Sequence, residues 1–212
     1  MRNLLIFNVA GILIFISLCG NSQTMMKKTN NSKYDTATFG SGCFWCSEAI
    51  FERVEGVEDV IPGYAGGDEP DPDYDLVSTG KTRYAEVSQI IFDPDIVSYS
   101  KLLEIFWKTH DPTTLNRQGA DTGPQYRSVI FYHNASQKET AEHFKTELDK
   151  AGIWDKPVVT EISPIKNFYK AENYHQDFYK NNPSNGYCNF VITPKIKKFE
   201  KLFKDEMKKD FK

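Results

Sequence analysis

Only three small residues, Gly40, Ser41 and Gly42, separate a strand ending in Ala37-Thr38-Phe39 from a helix. The apolar residues of that helix, Phe44, Trp45, Ala49, Ile50 and Val54, recur at helical spacing up to Gly56. The handover puts Cys43 at a helix N-terminus, where backbone N–H groups lack partners and carry the positive end of the macrodipole. An ordinary thiol ionises near ~8.5, and a helix N-terminus lowers that by roughly a unit or more. The sequence therefore predicts a reactive thiolate at Cys43, with the glycines leaving room for a substrate to approach the sulfur. Cys46 follows one turn later. As a bare C-x-x-C, the pair fits buried small hydrophobes, half a zinc site or a redox dithiol. Zinc requires a second ligand pair. Apart from Cys19 near the N-terminus, only Cys188 and scattered histidines remain, so no metal is expected.

The rest of the chain alternates strands and helices. Strands are predicted over 36–39, 57–61, 84–92, 128–133 and 158–162, and helices over 43–54, 98–109, 136–151, 171–180 and 194–211. Ser98 is placed as an N-cap and Gly152 as a helix stop. Two long loops, 62–83 and 110–125, carry most of the remaining glycine and proline, and loops of that length inside a compact domain are usually functional. The order strand, helix, strand, strand, helix, strand matches a split βαβ arrangement. We therefore expect an α+β fold, a two-layer sandwich with a mixed sheet, a split βαβ core and flanking helices. In the C-terminal helix, Glu200, Asp205, Glu206 and Asp210 interleave with the lysines, which marks a solvated face rather than a polyanion-binding one. A net charge of −3 likewise gives no reason to expect nucleic acid.

The N-terminus has a different character. Arg2 precedes a mostly apolar run from Leu4 to Leu18, too short for a confident membrane span and suited to a signal h-region. Ile16-Ser17-Leu18-Cys19 resembles a bacterial lipobox, with Leu18 bulkier than the usual small residue. Residues 1–19 thus read as a signal peptide of the lipoprotein type. The alternatives are an ordinary cleaved signal or an uncleaved anchor in which Cys19 is incidental. Residues 20–34 read as a flexible tether, and one domain occupies 35–212. The expected location is outside the cytoplasm, in a bacterial periplasm or cell envelope, as a monomer whose only membrane link is a lipid anchor at Cys19. Export places the thiols in an oxidising compartment. Three cysteines, Cys43, Cys46 and Cys188, then remain in the domain, and an odd count argues for at least one redox-active thiol.

Strand 84–92 places Glu86 between Ala85 and Val87. A carboxyl buried among such neighbours stays protonated to higher pH and can donate a proton. The series Gly42-Cys43-Phe44-Trp45-Cys46, Gly63-Tyr64-Ala65-Gly66-Gly67, Tyr84-Ala85-Glu86, His110-Asp111-Pro112, Arg117-Gln118-Gly119 and Gln125-Tyr126-Arg127-Ser128 resembles the A-type peptide methionine sulfoxide reductases. The motifs occur in that family's order from Phe39 to about Cys188. Tyr174-His175-Gln176 and Gly186-Tyr187-Cys188 resemble further family motifs, and Tyr84 stands where the family usually has histidine.

The resemblance implies that Cys43 is the nucleophile and Glu86 the acid. It implies that Phe44 and Trp45 form an apolar wall for the substrate methyl, that Tyr74 and Tyr126 bind the oxygen, and that Asp121 orders its loop. It further implies reduction of methionine S-sulfoxide, free or in peptides, with no metal or organic cofactor. A sulfenic acid on Cys43 would condense with a second thiol, and a thioredoxin-type partner would reduce the disulfide. Cys188, in a polar and turn-rich segment free to swing, is the favoured resolving thiol. Cys46 is the alternative, since its sulfur is always near but its direction is fixed by the helix. Two other function classes stay open: a thiol–disulfide oxidoreductase using the C-x-x-C, and a lipid-anchored binding module without turnover. Insulin reduction compared with sulfoxide reduction separates the first, and turnover blocked by alkylating Cys43 excludes the second.

Overall fold

A six-stranded sheet orders the molecule. Its strands lie β7-β6-β1-β3-β2-β8, and every neighbouring pair is antiparallel except β6 and β7, which are parallel. The structure, a computed structural model, describes residues 32–212. The expected signal segment, Cys19 and most of the tether lie outside the described residues.

In chain order the elements are β1 (Asp35–Ser41), α1 (Phe44–Phe51), β2 (Val57–Ala65), α2 (Tyr74–Ser78), β3 (Ala85–Phe92), α3 (Tyr99–Thr109), a small hairpin of β4 (Arg117–Gln118) and β5 (Asp121–Thr122), β6 (Ser128–Tyr132), α4 (Ala135–Ala151), β7 (Glu161–Pro164), β8 (Phe168–Lys170), α5 (Phe178–Asn181) and α6 (Thr193–Leu202). The inner four strands, β6-β1-β3-β2, interleave as a split βαβ unit requires. The α+β class, the mixed sheet and the flanking helices are all as the sequence predicts.

Local chemistry explains most boundaries. The Ser98 side chain accepts from Lys101 N at 3.1 Å and opens α3, whose Leu102, Leu103, Ile105, Phe106 and Trp107 are buried. Asn134 caps α4 by accepting from Gln137 N at 2.9 Å, and Gly152 closes it at φ 59°, a left-handed position suited to glycine. The main core joins Phe39, Ile50, Phe51, Ile90, Phe92 and Ile130 to the buried side of α3 and to Phe199 of α6. Ala65, Ala85, Val87, Val129 and Phe131 form a separate apolar cluster, packed with Ile165 and Phe168.

Four predictions are corrected. β2 runs past Ile61 to Ala65, because Gly63, Tyr64 and Ala65 pair with Val87, Glu86 and Ala85 on one side and with Lys170, Tyr169 and Phe168 on the other. Pro62 supplies only a carbonyl there, accepting from Ala171 N at 2.9 Å. The strand predicted over 158–162 lies instead at Glu161–Pro164, and β8, which follows it, was not predicted. Residues 171–180 do not form one helix. Ala171 is tied to β2, a 3₁₀ turn covers Asn173–His175, and Asp177 takes φ 52° before the short α5. The C-terminal helix stops at Leu202 because Phe203 leaves helical geometry to bury its ring against Phe199, and two 3₁₀ turns follow.

Candidate active site

Cys43 occupies the N-cap of α1, with Gly42 before it at φ 92°. A Cβ on Gly42 would meet the Gln118 side chain at 2.6 Å, and one on Gly40 would meet Val129 Cγ1 at 2.7 Å. These glycines therefore serve packing and backbone geometry rather than open access to the sulfur. β3 lies beneath the helix start and brings Glu86 to it: Phe44 N donates to Glu86 Oε2 at 3.1 Å. One turn deeper, Ser47 Oγ meets Ser88 Oγ at 2.8 Å, which fixes α1 against the same strand.

Burial sets the electrostatics. Glu86 is 2 % exposed, and this raises its carboxyl to about 8. The Phe44 amide and the Tyr126 hydroxyl pull the other way, too weakly to offset it. Cys43 is 5 % exposed, and its thiol is pushed well above the ordinary range by burial first, then by its hydrogen bond and charge interaction with Cys46 and by Glu86. The sequence predicted the opposite shift. The first amide of the helix serves Glu86 instead of the sulfur, and two acidic neighbours surround the thiol. Cys46 is lowered to about 7, first by the hydrogen bond from Cys43, against its own burial, and then by Lys195, whose Nζ lies 3.4 Å from Cys46 Sγ. These shifts belong to the pair, which holds one readily shared proton.

Above the thiol lies a cavity of about 210 Å³ lined by Cys43, Phe44, Trp45, Tyr74, Glu86, Asp121, Tyr126 and Tyr187. Seven of these are the residues singled out in the sequence. A larger groove of about 630 Å³, between Lys33 and Asp210, contains no cysteine or histidine and is lined mainly by charged side chains. The thiol cavity is therefore the candidate site.

Its walls are held from the C-terminal third of the chain. Phe178 stacks on Trp45 with ring centroids 3.6 Å apart and planes 6° from parallel. Glu48 fixes that stack by accepting from Asp177 N at 2.7 Å and Phe178 N at 3.3 Å. Trp45 Nε1 donates to His175 Nδ1 at 3.1 Å, so the neutral ring carries its proton on Nε2, toward Glu172 3.8 Å away. Glu172 also accepts from Tyr64 Oη at 2.9 Å and Tyr74 N at 2.8 Å. Tyr187 donates to Asp121 Oδ2 at 2.7 Å and reaches Cys43 as well.

Tyr187, His175, Phe178, Glu48 and Lys195 were not anticipated as site residues. The first two stand inside motifs already noted in the sequence; the others carry no local signal. Tyr84 is buried, and its hydroxyl donates to the Glu69 carbonyl, fastening the loop ahead of α2.

Cys188 lies in a largely exposed segment, 181–190, but its own side chain is turned inward. It is 0 % exposed at the start of a π-helical turn, Cys188–Ile192, that leads into α6. It packs in the same apolar cluster as Cys43 and Cys46, because Ile192 and Ile196 drive this face inward. Cys43, Cys46 and Cys188 are all free thiols. Among the described residues, no group of three His, Cys, Asp or Glu side chains is arranged to hold a metal ion.

A paired thiol, a protonated carboxyl and an aromatic wall in one small cavity define a cysteine-based oxidoreductase site. Residues 35–207 match the family model described as peptide methionine sulfoxide reductase. A peptide methionine sulfoxide reductase MsrA of Saccharolobus solfataricus is 55 % identical over 174 residues, 82 % of this chain and 97 % of that protein. One from Acinetobacter baumannii is 54 % identical over 174 residues, 80 % of this chain and 98 % of that protein. The crystal structure of reduced Mxr1 from Saccharomyces cerevisiae superposes with a TM-score of 0.67 at 35 % identity, covering 78 % of this chain and 96 % of that one. The chain belongs to the peptide methionine sulfoxide reductase family, and the protein is an oxidoreductase of that kind.

Proposed function

We propose that the protein reduces the S epimer of methionine sulfoxide, free and in peptides, through a sulfenic acid on Cys43 and an intramolecular disulfide. The observation that carries this reading is the juxtaposition of the Cys43 thiol, the Glu86 carboxyl and the Phe44–Trp45 wall around one cavity. The wall takes the methyl and thioether, while the hydroxyls of Tyr74 and Tyr126 face the oxygen. Cys43 passes its proton along the hydrogen bond to Cys46 as its sulfur attacks the sulfoxide sulfur. Glu86, neutral below about pH 8, gives its proton to the oxygen as negative charge develops there. Thiol and sulfoxide become sulfenic acid and methionine, with the oxygen transferred to Cys43.

Condensation with a second thiol then releases water. Cys46 is nearest, and Cys188, buried beside the pair, can take over the bridge by exchange. A thioredoxin-type dithiol returns the site to its reduced state. We further propose that the signal segment at 1–19 delivers this domain to the cell envelope, a reading that rests on sequence composition.

The deciding experiment is turnover of the two separated epimers with dithiothreitol. Reduction of the S epimer alone is expected, and equal rates on both would overturn the stereochemical part. Phe178→Ala removes the ring stacked on Trp45. Aromatic pairs contribute roughly 0.5–1.5 kcal/mol, so KM for a peptide substrate is expected to rise as much as about tenfold, with kcat little changed. A drop confined to kcat in steady-state kinetics would contradict a binding role for this wall.

A further inference from the structure

Lys195 lies in the first turn of α6, and its ammonium points back at α1, reaching Cys46 Sγ at 3.4 Å across 149 residues of sequence. Lysines usually extend into water, and the neighbouring Lys197 and Lys198 do so. Lys195 is half-buried instead, and among the described residues no carboxylate forms a salt bridge with it. Its hydrogen-bond partner is a sulfur that is itself 2 % exposed. An ammonium held against a buried thiol stabilises the thiolate and weakens its hold on a proton.

We propose that Lys195 is a positioning residue for the step that closes the disulfide: its ammonium holds Cys46 Sγ as a thiolate facing Cys43. The inference rests on the sulfenic-acid reading above and names which thiol resolves it and how that thiol is made ready. Oxygen transfer leaves Cys46 protonated. It must lose that proton before its lone pair can attack Cys43 Sγ. Lys195 makes this loss favourable near neutrality. In the attack the Cys46–Cys43 S–S bond forms and the Cys43 S–O bond breaks. Glu86, which gave its proton to the oxygen in the first step, is reprotonated from solvent as Cys46 releases its own proton to solvent. The leaving hydroxide then takes the Glu86 proton and departs as water, and Glu86 is reprotonated once more before the next turnover. Cys43 is reduced from sulfenic acid to the disulfide level as Cys46 is oxidised to it, so no further oxidant is needed.

Other charges bear on Cys46. Asp121 of β5 and Glu86 of β3 oppose its ionisation when negative, and Tyr187 and Cys188 lie beside it as neutral groups. Lys195 is the cation that acts on it.

The test is a single turnover of the full chain with one equivalent of a methionine sulfoxide peptide and no reductant, acid-quenched from pH 5.5 to 9. Methionine yield, dimedone-trapped sulfenic acid and the disulfide pairing are read by mass spectrometry. Lys195→Met is close to the lysine in size and sits at a half-buried position, so the fold should hold. In this variant one methionine per site still forms at completion, more slowly below pH 7 because Cys46 also takes the Cys43 proton in that step. Closure of the Cys43–Cys46 bridge slows about tenfold below pH 7, trapped sulfenic acid accumulates, and the pH limb of closure moves up by about one unit. Lys195→Arg keeps the charge and restores most of the rate, which a purely structural role would not give. Superimposable pH profiles for parent and Lys195→Met, or a parent bridge joining Cys43 to Cys188 from the outset, would overturn the proposal while leaving the functional reading standing. Absence of any methionine from the parent would instead overturn that reading and the inference with it.

Discussion

Cys43→Ser is expected to abolish sulfoxide reduction, and no excess of dithiothreitol restores it. The serine hydroxyl is close in size to the thiol, so the N-cap geometry of α1 and the Phe44–Glu86 contact should survive. What is lost is the one sulfur, among the described residues, that both lines the cavity and adjoins the acid. Cys46 does not line that cavity and is held back by the first turn of the helix, so it cannot substitute. Deleting a covalent nucleophile removes catalysis on the order of 10⁴-fold or more. Cys46→Ser and Cys188→Ser, by contrast, should retain one methionine per site in a single turnover, since neither sulfur takes the oxygen. Methionine formation by Cys43→Ser at anything near the parent rate would end the mechanism.

The second large effect is expected at Glu86. Glu86→Gln preserves size, but its amide cannot transfer a proton. A loss of about 10²- to 10⁴-fold in kcat/KM follows, the usual range for general acid catalysis. The sign of the pH dependence is fixed by which form is active. The neutral acid donates, and burial holds it neutral up to about pH 8, so the parent rate falls as pH rises through about 8. The thiol pair, with Cys46 lowered to about 7, gives the opposing limb on the acid side. In Glu86→Gln the alkaline limb disappears and the acid limb stays. A profile retaining its fall above pH 8 would assign that limb to another group. The same shift acts on stability. A carboxyl raised from about 4.3 in the unfolded chain binds more protons when folded, so its contribution declines as pH climbs from about 4.3 towards 8. Glu48, also raised to about 8 by burial, adds to that decline.

The chemistry was legible where it lay within a few residues. Cys43 announces itself by three small residues between a strand and a helix, and Glu86 by alternation along β3. The same local reasoning misjudged the Cys43 thiol, because a helix N-terminus is a sequence property and desolvation is a tertiary one. It also missed Glu48, Phe178 and Lys195, whose partners lie well over a hundred residues away and leave no periodicity behind. The single helix predicted over 171–180 fails for a related reason. Its apolar residues recur at helical spacing, yet they face two different structures. Ala171 is bound to β2, while Phe178 covers Trp45 after the left-handed turn at Asp177. Pairing decided the length of β2 in the same way, since Pro62 and Gly63 look like loop residues until β8 is seen beside them.

The reach of Lys195 and Glu48 across the fold also dictates the order in which the molecule can be made. Glu48 meets its amide partners 129 and 130 residues later, and Cys46 meets Lys195 after 149. Contacts of such separation form late, since the loop they close has a large entropy cost that earlier contacts must first reduce. On a ribosome the C-x-x-C emerges long before the segment that covers it. The nascent chain therefore carries two uncovered thiols until residues 175–196 are synthesised. Only the finished chain has the buried, proton-sharing pair, so the thiol reactivity of the site is acquired at the last step of folding.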